Sequence, residues 1–127
     1  MKFKYAILYV DDVAKSLTFY QRAFGFPVRF LHEDGDWGEL ETGETRLSFC
    51  SHRLMGGLKK KTSRANAASP CFEIAFTADD VPVALQRALD AGAKLVQAPE
   101  ETPWGQTVAY VADPDDVLVE ICTPVGD

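Results

Sequence analysis

YAILYVDDVAKSLTFY, residues 5–20, is written twice in this chain: in altered form it returns as EIAFTADDVPVALQRA, residues 73–88. Each copy runs a strand-like alternation into Asp-Asp-Val and then into helical spacing. One constant offset lays Asp11, Asp12, Val13 and Leu17 over Asp79, Asp80, Val81 and Leu85. Self-similarity of this kind governs how everything else is read. The echo continues with offsets that drift as loop lengths change. Trp37-Gly38 returns as Trp104-Gly105, and Gly43–Ser51 lies over Asp115–Thr123, which sets Ser48 against Glu120 and Cys50 against Cys122.

Working outward, Lys4 to Val10 alternates around β-favouring residues and predicts a strand. Asp11 and Asp12 are natural N-caps, because a carboxylate accepts from the free N–H groups and complements the helix dipole. Val13, Leu17, Tyr20 and Phe24 follow at helical spacing, and Gly25 supplies the stop. Pro27–His32, Asp36–Thr42 and Thr45–Ser51 predict three more strands, joined by Glu-Asp-Gly-Asp and Thr-Gly-Glu turns. The stretch from His52 to Pro70, with two glycines and a basic cluster, reads as a connector or flap. The second half repeats the order: strand Cys71–Thr77, helix Val81–Ala91, and strands near Lys94–Gln97, Gln106–Val111 and Val117–Cys122. Pro82 sits in the first helical turn, where its missing N–H costs nothing. Pro99, Pro103 and Asp113-Pro114-Asp115 mark loops.

The chain has 127 residues, 46% of them hydrophobic, which suits one domain with a real core. Halves of roughly 60 residues are marginal alone, so a shared core is expected. A net charge of -6 opposes nucleic acid and anionic membrane as partners. No run has transmembrane length and no signal-type apolar region opens the chain, so a cytoplasmic protein is the expectation. Three cysteines without a Cys-x-x-Cys pair suit reduced, buried thiols better than disulfides or a zinc site.

Two β-α-β-β-β modules with strand-Asp-helix openings, and a closing Asp-Pro-Asp-x-x-x-x-Glu-Ile, resemble the vicinal oxygen chelate superfamily. Its members include glyoxalase I, extradiol dioxygenases, fosfomycin-resistance enzymes and bleomycin-resistance proteins. The resemblance covers roughly Lys4 to Pro124 and implies an α+β fold: two βαβββ modules paired around a cavity, with helices on the outer faces. Module 1 then spans about residues 4–52, the connector 53–70 and module 2 about 71–124. A homodimer is also implied.

Alternation says which residues face that cavity. Tyr5, Ile7 and Tyr9, then Arg46, Ser48 and Cys50, fall inward from module 1, with Trp37 and Glu39. Glu73, Ala75, Thr77, Leu118, Glu120 and Cys122 do so from module 2. The family's metal ligands, carried over position by position, fall on Tyr5, Ser48, Glu73 and Glu120, of which only Glu120 keeps the usual residue. The expectation is therefore no metal and no cofactor, the alternative being a divalent metal at Glu73 and Glu120. Those two acids are the candidate catalytic pair, as general base and acid. The competing structural reading is a salt bridge from Arg46 to one or both.

Tyr5, Tyr9, Trp37, Glu39, Arg46, Ser48 and Trp104 are the candidate ligand-binding residues, the tryptophans as stacking walls or as ordinary packing. The basic stretch Arg53–Arg64 is either a flap over an anionic ligand or a solvated loop. The resemblance implies a metal-free protein that binds a small amphipathic or cationic ligand, similar to the bleomycin-resistance members. The alternative is a glyoxalase I-like, metal-dependent lyase or isomerase acting on a small or glutathione-linked substrate.

Overall fold

A computed structural model describes residues 1–126. The chain divides into two compact units, Met1–Arg64 and Ala65–Asp127. In the first, β1 (Tyr5–Val10) is followed by α1 (Val13–Phe24), β2 (Val28–Leu31), β3 (Trp37–Leu40), β4 (Arg46–Ser51) and a short α2 (His52–Gly57). The sheet runs β1-β4-β3-β2, with β1 and β4 parallel and the other pairings antiparallel.

Both ends of α1 are set by single residues. Asp12, extended at φ -134°, accepts a hydrogen bond from the Lys15 N–H, and Gly25 closes the helix at φ 81° while its N–H donates to Gln21 O. A left-handed closing residue of this kind favours glycine because a Cβ is penalised there. The buried face of α1 carries Val13, Leu17, Phe19, Tyr20 and Ala23. The Tyr20 ring lies 5.2 Å from that of Phe49 on β4. Gly38 on β3 lets the helix come close: a Cβ there would stand 2.6 Å from Leu17 Cδ1 and 2.8 Å from Val13 Cγ1. Leu8, Val10, Leu40, Leu47 and Phe49 complete this core, each worth about 1.5–3 kcal/mol when buried.

The second unit repeats the plan with β5 (Ile74–Thr77), α3 (Val81–Asp90), β6 (Lys94–Glu101), β7 (Thr107–Ala112) and β8 (Leu118–Cys122), ordered β5-β8-β7-β6. Asp80 caps α3 by accepting from the Val83 N–H. Val81, Leu85 and Ala88 are buried over Val111, Val119 and Ile121, while Leu89 is only half-buried. Asp113, itself buried, holds the β7–β8 turn by accepting from the Asp115 and Val117 N–H groups. The predicted βαβββ order is thus present in both halves. Among the described residues no helix is long and apolar enough to cross a membrane.

Several expectations need correction. The connector opens with α2, capped by Ser51, whose side chain accepts from the Leu54 N–H. Arg53 bonds Asp36 at 2.8 Å, and Arg64 makes a two-pronged ion pair with Asp11. Two of its cations are therefore held by carboxylates of the first unit. β6 runs straight through Pro99 to Glu101; as an edge strand it tolerates a residue with no N–H to donate. Cys71 is exposed rather than buried, and β5 begins only at Ile74.

Candidate functional site: the open faces of the two sheets

With Leu8, Val10, Leu47 and Phe49 turned to α1, alternation sends Tyr5, Ile7, Tyr9, Arg46, Ser48 and Cys50 to the other face of the first sheet. The register confirms it: Tyr5 lies beside Arg46, Ile7 beside Ser48 and Tyr9 beside Cys50, while β3 sets Trp37 opposite Cys50 and Glu39 opposite Ser48. Two layers result. Tyr5, Ile7 and Tyr9 are each about 40% exposed, whereas Ser48 and Glu39 beside them are 0% and 8% exposed.

Glu39 organises the polar layer. Its Oε2 accepts from the Trp37 indole Nε1 at 2.9 Å, and its Oε1 stands 3.6 Å from both Arg46 Nη1 and Arg29 Nε. Arg29 reaches on to Glu41 at 3.3 Å. A buried carboxylate requires such compensation. The expected partner of Arg46 was Glu73 or Glu120; its partner is Glu39, on the neighbouring strand of its own sheet, which satisfies both charges locally. The Trp37 indole stands edge-on to Tyr5, centroids 5.7 Å apart, and the Tyr9 ring lies 6.3 Å from that of His52. Two buried polar atoms on this face, Arg46 Nε and Ser48 Oγ, have no hydrogen-bond partner among the described residues.

On the second sheet the register places Ala75 and Tyr110 on either side of Glu120, and Thr77 and Val108 on either side of Cys122. Tyr110 donates its phenol to Glu120 Oε1 at 3.3 Å. Loss of solvent and then the charge of Glu120 push the Tyr110 phenol up to about 12. Glu73 lies one residue before β5, in step with Ala75, and is exposed as a residue. Its carboxyl is nevertheless raised, first by partial removal from water and then by the like charge of Glu120. Burial, with Asp36 and Glu120 respectively, raises the thiols of Cys50 and Cys122. That argues against either as a nucleophile, since the thiolate is the reactive form.

Trp104 departs from the expected equivalence with Trp37. Trp37 faces Cys50, and the residue facing Cys122 is Val108; likewise Tyr110, facing Glu120, answers to Glu39, which faces Ser48. Trp104 instead sits in the β6–β7 turn, 69% exposed, with its indole N–H donating to Gln106 Oε1. Arg29, His52 and Tyr110 are site neighbours that sequence reasoning passed over. Alternation along β7 carried a signal for Tyr110. Arg29 reaches the face beside a register shift between Val28 and Phe30, which no periodicity shows.

The four family metal positions hold a phenol and a hydroxyl on the first sheet, Tyr5 and Ser48, and two carboxylates in the second unit, Glu73 and Glu120. Neither histidine stands among them: His32 pairs with Asp34 in the β2–β3 turn, and His52 Nδ1 meets Thr62 Oγ1 at 2.6 Å. Neither pair offers the imidazole that zinc, nickel, copper and iron favour.

A βαβββ unit whose first and last strands pair in parallel, repeated once in the same order, with aromatic and polar side chains on the sheet faces away from the helices, defines the vicinal oxygen chelate fold. The chain belongs to the Glyoxalase-like domain family, which it matches over residues 3–126. It is 30% identical over 125 residues to the Bacillus subtilis protein YraH, covering 95% of this chain and 97% of that one. It is also 30% identical over 111 residues to a bleomycin resistance protein of Klebsiella pneumoniae, covering 87% and 82%. In fold it is similar to a glyoxalase/bleomycin resistance protein/dioxygenase family enzyme from Burkholderia phytofirmans, with a TM-score of 0.81 and 24% identity over 98% of this chain and 100% of that one.

Proposed function

We propose that the protein binds a small amphipathic or cationic molecule without metal and without altering it, sequestering it in the cytoplasm in the manner of a bleomycin-resistance protein. The observation that carries this reading is the first sheet's layered face, half-exposed Tyr5, Ile7 and Tyr9 beside partly buried Trp37 and Arg46, both joined to the buried Glu39. Apolar walls with a few fixed polar groups are what a small-molecule site requires. The likeness to a bleomycin resistance protein supports it. The acidic net charge favours approach of a cation. We include in the proposal that the protein works as a homodimer, a reading supported by exposed apolar Val28, Phe30 and Leu31 on the edge strand β2. Calorimetric titration with a glycopeptide-type or planar cationic drug in excess chelator tests it. Saturable binding with the drug recovered unchanged is expected, and heat that appears only when a divalent metal is added would overturn it.

The second reading, a glyoxalase-like lyase, is favoured by the Glu73 carboxyl, raised by partial burial and by the charge of Glu120, since a carboxyl that holds its proton more tightly than usual suits general acid–base work. Metal-dependent turnover of the glutathione–methylglyoxal adduct, abolished in Glu120→Gln, would establish it in place of the first.

A further inference from the structure

Arg46 and Ser48 stand two residues apart on β4, on one face, and both have polar atoms left over. Ser48 is fully buried and its Oγ has no partner among the described residues; Arg46 gives one guanidinium nitrogen to Glu39, and its Nε is likewise unmatched. Buried donors of this kind rarely stay unpaired, because an unmade hydrogen bond costs more than a made one gains. Their cross-strand neighbours are Tyr5 and Ile7, which are half-exposed and so free to change rotamer quickly. The formal charges are already balanced, with Arg29 and Arg46 matched by Glu39 and Glu41. What remains is donor capacity without net charge.

We infer that the ligand presents an uncharged acceptor oxygen, the carbonyl of an aromatic ketone, quinone or amide, to Arg46 Nε and Ser48 Oγ, while its ring lies against Tyr5 and Trp37. This deepens the small-molecule reading above and rests on it. A carbonyl oxygen has two lone pairs and can take both donors at once. A carboxylate would add a second negative charge beside Glu39 and be penalised for it. A hydrocarbon of the same shape would leave both donors buried and unmatched, the situation in which sites discriminate most strongly.

Three probes separate the outcomes in chemical-shift titrations of the intact protein. 2-Acetylnaphthalene carries the ketone, 2-ethylnaphthalene has nearly the same shape without an acceptor, and 2-naphthoate carries the charge. The ketone is expected to bind about tenfold more tightly than the hydrocarbon, the difference one hydrogen bond to a charged group supplies, with naphthoate no tighter than the ketone. Ser48→Ala, which removes an unpartnered hydroxyl and threatens the fold little, should cut the ketone's preference severalfold and leave the hydrocarbon unchanged. Equal binding of ketone and hydrocarbon would overturn the acceptor assignment, with water the occupant of those donors, and leave aromatic binding standing. Tighter binding of naphthoate would overturn its uncharged character. Absence of binding by all three would overturn this inference, while the drug titration judges the broader reading separately.

Discussion

The Trp37 indole Nε1 and the Glu39 carboxylate, two residues apart on β3, are joined at 2.9 Å, and the same carboxylate stands 3.6 Å from the guanidinium groups of Arg46 and Arg29. One buried acid thus fixes an aromatic ring and faces two cations, and the two ends of the ion pair should not be equally costly to remove. Glu39→Ala leaves Arg46 without its carboxylate and frees the indole, so it should destabilise the fold by about 3 kcal/mol. Arg46→Ala leaves Glu39 with Arg29 and Trp37 and should cost less, about 1–2 kcal/mol. Urea denaturation of the two variants compares them directly; equal losses would mean that Arg29 does not share the acid.

Gly38 sits where α1 presses on β3. A Cβ would meet Leu17 Cδ1 at 2.6 Å and Val13 Cγ1 at 2.8 Å, so Gly38→Ala forces the helix or its side chains to shift. The expected loss is about 1–3 kcal/mol, the usual range for overpacking. Pairing it with Leu17→Ala should recover part of that loss, which a double-mutant cycle in urea would register.

Glu73 supplies a pH dependence of known sign. Its folded-state carboxyl is raised above the ordinary 4.5 by partial burial and by Glu120, so the folded chain holds this proton more tightly than the unfolded chain. Stability from this group is therefore present below the ordinary glutamate range and is lost as pH rises from there through the raised value. Glu73→Gln should remove that loss, and the difference in denaturation midpoint between variant and wild type should grow in the variant's favour from pH 4 to pH 7. A difference independent of pH would show that Glu73 is not perturbed.

The cysteines should fall into two classes. Cys50 and Cys122 are buried with raised thiols, whereas Cys71 is exposed. A thiol reagent at pH 8 should label one cysteine promptly in the native protein, Cys71, and all three in denaturant. Prompt labelling of Cys50 or Cys122 would mean that the corresponding sheet face opens readily.

What could be read from the chain is what local chemistry specifies. Asp12 and Gly25 announce the ends of α1, and the repeated Asp-Asp-Val announces the second module, because caps and repeats act within a few residues of themselves. Alternation correctly turned Arg46 and Ser48 to the same face. It could not pair Arg46 with Glu39, since the partner is fixed by cross-strand register, which sequence spacing does not contain. The Trp-Gly dipeptide misled for the same reason: β6 and its turn displace Trp104 from the strand position that Val108 fills. The helix His52–Gly57 was hidden by its two glycines, whose low propensity is overridden by the Ser51 cap and the Arg53–Asp36 pair.

Tryptophan fluorescence tests metal-free binding at the first sheet's face most directly, because the two indoles differ in place. Trp37 is anchored in that face and Trp104 lies out on an exposed turn. In excess chelator, a planar cationic drug should quench Trp104→Phe, which retains Trp37, saturably. It should leave the emission of Trp37→Phe almost unchanged, and affinity should fall roughly tenfold or more in Trp37→Ala once stacking and contact area are lost. Quenching confined to Trp104, or quenching that appears only when a divalent metal is restored, would contradict the account.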